Sequence, residues 1–203
     1  MNPNSIELRN TSKLSKLLVL SLKAILIIYP LLFLTETPAF LYWFDNDTSL
    51  VGVIVAFLMM ISGLLVILAA VAQVFLFYRW IYLSNTNSRL LGAKNMQFTP
   101  GWAIGWNFIP FMNLFMPFRV MKEIWKTSKD PKNWKSLETP SLIIWWWPIT
   151  VISNITSNLS FRADMSGEFS LTLTIIDVFF TIPWCILTIK LVEEISQMQN
   201  QTH

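Results

Sequence analysis

Reactive side chains are nearly absent from this sequence. A single cysteine, Cys185, excludes an internal disulfide, a cysteine-pair metal site and a dithiol redox motif. It sits in an apolar run, where inert packing is the ordinary role. The one histidine is the last residue, His203, which leaves no internal imidazole for a haem, a zinc ion or a serine–histidine pair. No glycine-rich phosphate loop, nucleophile with its base, or set of metal ligands can be assembled, so catalytic residues, a bound cofactor and a metal are not expected. Proline and glycine are too sparse for a second, flexible domain, and internal repeats are missing, so residues 1–203 read as one domain. Charge is scarce too, with only 13% Asp, Glu, Lys and Arg.

Oil is what the chain has in quantity. It is 54% hydrophobic, with a mean hydropathy of +0.51, too apolar for a water-soluble domain of 203 residues. Four stretches predict transmembrane helices, at about 17–34, 51–80, 140–160 and 169–189. A secretory signal peptide competes for the first of them, but Pro38 falls inside the supposed cleavage site and three more apolar stretches follow. The second has no charge over 51–78, roughly 42 Å of helix, so it must tilt or project beyond the hydrocarbon. Its pattern runs on to Gly92, a plausible carboxyl-terminal stop. The acidic segment 35–49 reads as an outside loop, and the residues after Glu194 as a polar tail.

Between the second and third spans lies a segment too broken to cross and too apolar for water. Residues 99–118 hold no charge, three prolines and two asparagines. Residues 117–129 then follow a basic amphipathic pattern, with Val120, Met121, Ile124 and Trp125 on one side and Lys122, Lys126 and Lys129 largely on another. The stretch 99–129 therefore reads as a re-entrant or interfacial hairpin followed by an amphipathic helix, both on the cytoplasmic surface. With both termini and residues 79–138 inside, fourteen of the fifteen basic residues are cytoplasmic, all but Arg162. The expected fold is thus an all-α integral membrane protein of four transmembrane helices plus this cytoplasmic hairpin and helix.

Two groups of residues stand out as candidate sites. Trp102, Trp106, Asn113, Arg119, Lys122, Trp125 and Lys126 form a candidate interaction surface; Trp102 and Trp106 share a face, and Arg119 and Glu123 are spaced to pair. Asp177 is the one acidic residue inside a span, where an unpaired carboxylate costs about 2.5 to 3.5 kcal/mol on insertion scales, so it must face the bundle. Asn154 and Asn158 lie at similar depth and Gln73 is an amide within the second span, giving a candidate intramembrane polar cluster. A polar clasp between helices is the plainer role for Asp177, and a proton or cation site the sharper one.

The segment from Arg79 to Pro131 resembles the core of a bacterial membrane family known as domain of unknown function 4328. Arg79, Trp80, Asn87, Leu91, Gly92, Pro100, Gly101, Trp102, Trp106, Pro110, Asn113, Pro117, Arg119, Met121 and Trp125 carry the likeness. It implies a multi-pass protein of the bacterial inner membrane and supplies no activity, cofactor or catalytic residue. Two functions follow as expectations. The first is a non-enzymatic interaction, docking or accessory protein whose partners are membrane lipids, a protein at the cytoplasmic face, or a second copy, and not nucleic acid. The second is a small transporter or channel that uses Asp177 and the broken segment.

Overall fold

A computed structural model describes residues 11–45, 50–165 and 171–201. Among them there are helices and no strand: α1 (Ser12–Asp45), α2 (Leu50–Leu90), α3 (Pro100–Gly105), α4 (Met116–Lys129), α5 (Ser141–Met165) and α6 (Leu171–Gln201). Three-residue 3-10 turns at Trp106–Phe108, Met112–Leu114 and Trp134–Ser136 join the shorter pieces. Three helical stretches are long and apolar enough to cross a membrane: Ser12–Leu31 of α1, α2 and α6. The remaining expected span, that at 140–160, is α5, whose 25 residues make about 37 Å of helix, which is long enough. Its Thr150, Ser153, Asn154, Thr156, Ser157, Asn158, Ser160 and Arg162 hold it below the hydropathy of the other three.

Several boundaries differ from the sequence expectation. The segment 35–45 is helix, not loop: α1 continues through Pro30 and Pro38 to Asp45. Each proline removes one backbone bond, and no run of glycine or polar turn residues is present to stop the helix. Residues 46–49 and 166–170, which carry the rest of that loop and the start of the span expected at 169–189, lie outside the described residues, as does the amino end. The polar tail is also helical, because α6 runs to Gln201 and buries Ile195, Ser196 and Gln199. By contrast, α2 stops where expected. Gly92 adopts φ +95°, the left-handed conformation glycine tolerates best, and the Gly92 and Ala93 N–H groups close on the Arg89 and Ser88 carbonyls at 3.0 and 3.1 Å.

Burial divides the molecule in two. Over residues 50–72, α2 leaves most side chains exposed, among them Phe57, Leu58, Leu64, Leu65 and Leu68, as a helix solvated by acyl chains does. The packed core lies at the α4 end, where the last turns of α2, the apolar side of α4 and the last turns of α6 meet over Trp80, Met121, Ile124, Leu191 and Ile195. A polar layer runs through this core. The Gln199 amide donates to the Ser84 carbonyl at 2.9 Å and to Ser128 Oγ at 2.8 Å, and accepts from Asn87 Nδ2 at 3.3 Å. Thr127 Oγ1 donates to Ser88 Oγ at 2.9 Å and Trp80 Nε1 to Ser196 Oγ at 3.2 Å. Gln199 joins α2, α4 and α6 with one side chain, and it has no exposed surface.

That layer sets an expected ordering of stability losses. Gln199→Ala should lower stability by about 2–4 kcal/mol, since it strands buried partners on two helices. Gly92→Ala, which strains a single residue, should cost about 1 kcal/mol. Thermal unfolding in a mild detergent checks this, and equal losses in the two variants would count against the layer's role.

Candidate functional site

The hairpin is built on a fixed base. Residues 93–98 leave α2 and run past α4, where Glu123 reaches inward and accepts the backbone N–H of Gln97 at 2.6 Å and of Phe98 at 3.1 Å. The Phe98 carbonyl accepts from Asn85 Nδ2 at 3.1 Å and Arg89 Nη2 at 2.8 Å, so this residue is held at both its N–H and its carbonyl. Glu123 is therefore not the partner of Arg119, as spacing suggested; it is buried, and Arg119 is exposed. Burial pushes the Glu123 carboxyl above its ordinary value, and the two backbone N–H groups, Arg89 and Lys135 pull it partly back.

Beyond that base the chain presents aromatic rings. Thr99 caps α3 by accepting the Trp102 N–H at 3.3 Å, with Pro100 in the first turn. Trp102 and Trp106 share a face as expected, with ring centroids 5.0 Å apart. Gly105 makes room for this, since a Cβ there would stand 3.1 Å from the Trp102 ring. After Pro110 the chain turns at Phe111, whose φ of +66° is rare for a bulky residue. The turn is closed by Met112 N–H to the Pro110 carbonyl at 2.8 Å and Asn113 N–H to the Ile109 carbonyl at 3.1 Å. Trp102, Phe108, Phe111, Met112, Leu114 and Phe115 are all exposed along this edge, and Phe111 is the most open at 80%. Phe108 touches Tyr78 of α2, and Trp147 of α5 donates its indole N–H to the Leu114 carbonyl at 3.0 Å, which ties the tip to both helices.

The expected interaction surface is thus divided. Trp102, Asn113 and Arg119 are exposed, and Trp106, Lys122 and Lys126 are half-buried. Trp125 is buried, its ring covered by the Lys129 ammonium at 4.8 Å, and it leaves the surface. The reason is packing: Val120, Met121, Ile124 and Trp125 fill the junction of α2 and α6, so the apolar side of α4 is turned to protein and its cations outward. Sequence reading missed Asn85, Arg89 and Glu123 as the residues that fix the hairpin. Their one advance sign was a polar stripe on α2, Ser84, Asn85, Asn87 and Ser88, at spacings that share a helix face.

The intramembrane polar cluster is centred on Asp177 with different partners. Its Oδ1 accepts from Ser157 Oγ at 2.6 Å and, more weakly, from Thr156 and Thr181 at 3.3 and 3.4 Å, and its Oδ2 from the Tyr29 hydroxyl. This ring joins α1, α5 and α6 and leaves Asp177 with 1% exposure. Asn154 and Asn158 do not reach it. Each returns its amide to its own helix, to the Thr150 and Asn154 carbonyls at 2.7 and 2.8 Å, because an asparagine in a helix has a carbonyl four residues back within easy reach. Gln73 pairs instead with Ser21 of α1, whose hydroxyl lies 2.5 Å from Gln73 Oε1. Among the described residues no three His, Cys, Asp or Glu side chains converge to hold a metal ion.

Long, lipid-facing apolar helices clasped by buried polar side chains, with a packed layer at one end, define a helical membrane protein. The chain belongs to the family described as domain of unknown function (DUF4328), whose sequence model matches residues 48–197, from the start of α2 into the last turns of α6. No curated protein and no solved structure matches it.

The buried carboxyl at the hairpin base gives a pH expectation. Glu123 holds its proton to higher pH in the folded chain than in the unfolded one, so its contribution is largest in acid and declines as pH rises from 4.5, its ordinary value, through the raised folded value. Between about pH 4 and 7 the melting temperature of the wild type should therefore fall relative to that of Glu123→Gln, where nothing titrates at this position. Parallel curves would contradict the burial argument.

Proposed function

We propose that this protein is a non-enzymatic interaction protein of the bacterial inner membrane, with both termini in the cytoplasm, whose hairpin is a docking edge for the cytoplasmic leaflet. The observation that carries the reading is the row Trp102, Phe108, Phe111 and Phe115, exposed on a base locked by buried hydrogen bonds and followed directly by Arg119, Lys122 and Lys126. Aromatic rings at the acyl boundary and cations at headgroup depth match the two layers of an anionic leaflet, where each basic residue contributes about 1 kcal/mol. The left-handed backbone at Phe111 supports it, because a ring held out against strain of about 1–3 kcal/mol is a feature of surfaces with work to do. Charge distribution supports the orientation, since the inside assignment gathers all basic residues but Arg162. A protein partner or a second copy at the same face is compatible with this edge.

A second reading, a small transporter or channel, rests on Asp177 and on the broken segment 99–118. The ring of hydroxyls around Asp177 favours a clasp over a relay, because the carboxylate has four donors and no charged neighbour among its partners. Proton uptake by proteoliposomes that disappears in Asp177→Asn would reverse the preference.

Depth is the direct test of the docking edge. In a Cys185→Ser background, a fluorophore on Phe111→Cys in anionic nanodiscs should be quenched by lipids brominated on the upper acyl chain, and in a separate unlabelled sample the Phe111→Cys thiol should be shielded from a membrane-impermeant thiol reagent. The unlabelled thiol of Arg119→Cys should react freely. Equal, free reaction at both positions would place the edge in water and remove the lipid-docking reading.

A further inference from the structure

A cavity of about 370 Å³ lies among α1, α2, α5 and α6, lined mainly by apolar groups including Ile25, Ile28, Val66 and Trp184. At one side stand three of the hydroxyls that close on Asp177, those of Tyr29, Ser157 and Thr181; at another stands the amide of Gln73. Gln73 is 7% exposed, and its Nε2 has no hydrogen-bond partner. An unpaired amide N–H in hydrocarbon is costly and uncommon in native proteins. Turning the amide over does not remove the deficit. Ser21 has one hydroxyl proton and two acceptors within reach, the Leu18 carbonyl at 2.8 Å and Gln73 at 2.5 Å. With the amide reversed, one N–H satisfies Ser21 Oγ, but the second N–H still has no acceptor.

The cavity is open sideways. Ile28, Val66, Ala69 and Ala70 on its rim are exposed on the lipid-facing side of α1 and α2, so a molecule dissolved in the bilayer can enter without crossing water. Its volume falls in the range of small-molecule pockets, and although Ser21, Ser153 and Asn154 also line its mostly apolar walls, Gln73 Nε2 is the one buried donor of the lining left without a partner, the polar atom that would orient an apolar ligand.

We propose that this cavity binds an apolar membrane-dissolved molecule through a carbonyl oxygen that accepts the free N–H of Gln73. Two sources of that chemistry exist in a bilayer, the ring carbonyl of a quinone and the ester carbonyl of a phospholipid. The site is distinct from the hairpin, and its variants leave the docking edge intact, so the two readings fail separately.

The test uses the full chain in detergent, with a decyl-substituted benzoquinone and a diacyl phosphatidylglycerol as probes. Quinone binding is read by quenching of tryptophan fluorescence, with Trp184→Phe marking the share that comes from the cavity, and phospholipid retention by native mass spectrometry. Gln73→Leu should weaken whichever probe binds by about tenfold, the loss of one hydrogen bond. It should lower the empty protein's melting temperature by no more than the loss of the Ser21–Gln73 bond, because the amide N–H removed with it is unpaired. Ala70→Phe, which fills the space and keeps the amide, should abolish binding. Saturable quinone quenching that follows this pattern identifies a quinone site, and phospholipid retention that follows it identifies an ester site. Binding of neither probe, or binding unaltered in both Gln73→Leu and Ala70→Phe, overturns the proposal.

Discussion

Glu123 holds the backbone of Gln97 and Phe98, and much of what is distinctive in this protein depends on that grip. The hairpin's internal hydrogen bonds, such as Ala103 N–H to the Thr99 carbonyl at 2.8 Å and Phe115 N–H to the Met112 carbonyl at 3.0 Å, are local: they close its turns and do not fix where it sits on the bundle. Its base is set from below, by a carboxyl on α4 that accepts two N–H groups and by Arg89 and Asn85 on α2 that both donate to the Phe98 carbonyl, while Phe108 against Tyr78 and the Trp147 N–H on the Leu114 carbonyl steady the tip. Hydrogen bonds to charged groups are worth about 1.5–3 kcal/mol each, more than neutral ones, and breaking one here would leave buried groups without partners. The cost of burying Glu123 is thereby offset by the order it imposes on the residues above.

The two halves of the molecule are stabilised in different ways. At the α4 end, water drives Trp80, Met121, Ile124, Leu191 and Ile195 together, and a polar layer centred on Gln199 fixes how the three helix ends meet. Within the apolar helices that drive vanishes, because a leucine is as well solvated by acyl chains as by another leucine. Association there relies on packing and on polar pairs between helices: Ser21 with Gln73, the hydroxyls of Tyr29, Thr156 and Ser157 with Asp177, and Trp146 Nε1 with Thr188 Oγ1 at 3.0 Å. Such bonds contribute about 0.6 to 2 kcal/mol each. They appear on α1, α2, α5 and α6.

What could be read from the sequence divides along the same line. Hydropathy marked α1, α2 and α6, and the expense of a carboxylate in oil placed Asp177 inward, because lipid penalises errors there heavily. The partner of Asp177 was not legible. Asn154 and Asn158 had the right depth, but helical asparagines bond backward to their own carbonyls, while Tyr29 and Ser157 lie on faces that only helix rotation brings together. α5 was less clear as a span because its polar stripe dilutes its hydropathy. The hairpin's irregular course was visible in its prolines, yet its base was hidden: Glu123 looked like a surface partner of Arg119, and Gln199 looked like part of a disposable tail. Both are long side chains whose burial is decided by contacts far away in sequence, which local spacing does not encode.

The central claim is that the hairpin is held by the carboxyl beneath it rather than by its own sequence. Hydrogen exchange at the Gln97 and Phe98 amides, followed in nanodiscs, measures this most directly. The expected result is protection close to that of residues 80–90 in the wild type, lost at both amides and along residues 99–115 in Glu123→Ala while the α2 amides stay protected. Rapid exchange at Gln97 and Phe98 in the wild type, or protection that survives the substitution, would contradict it.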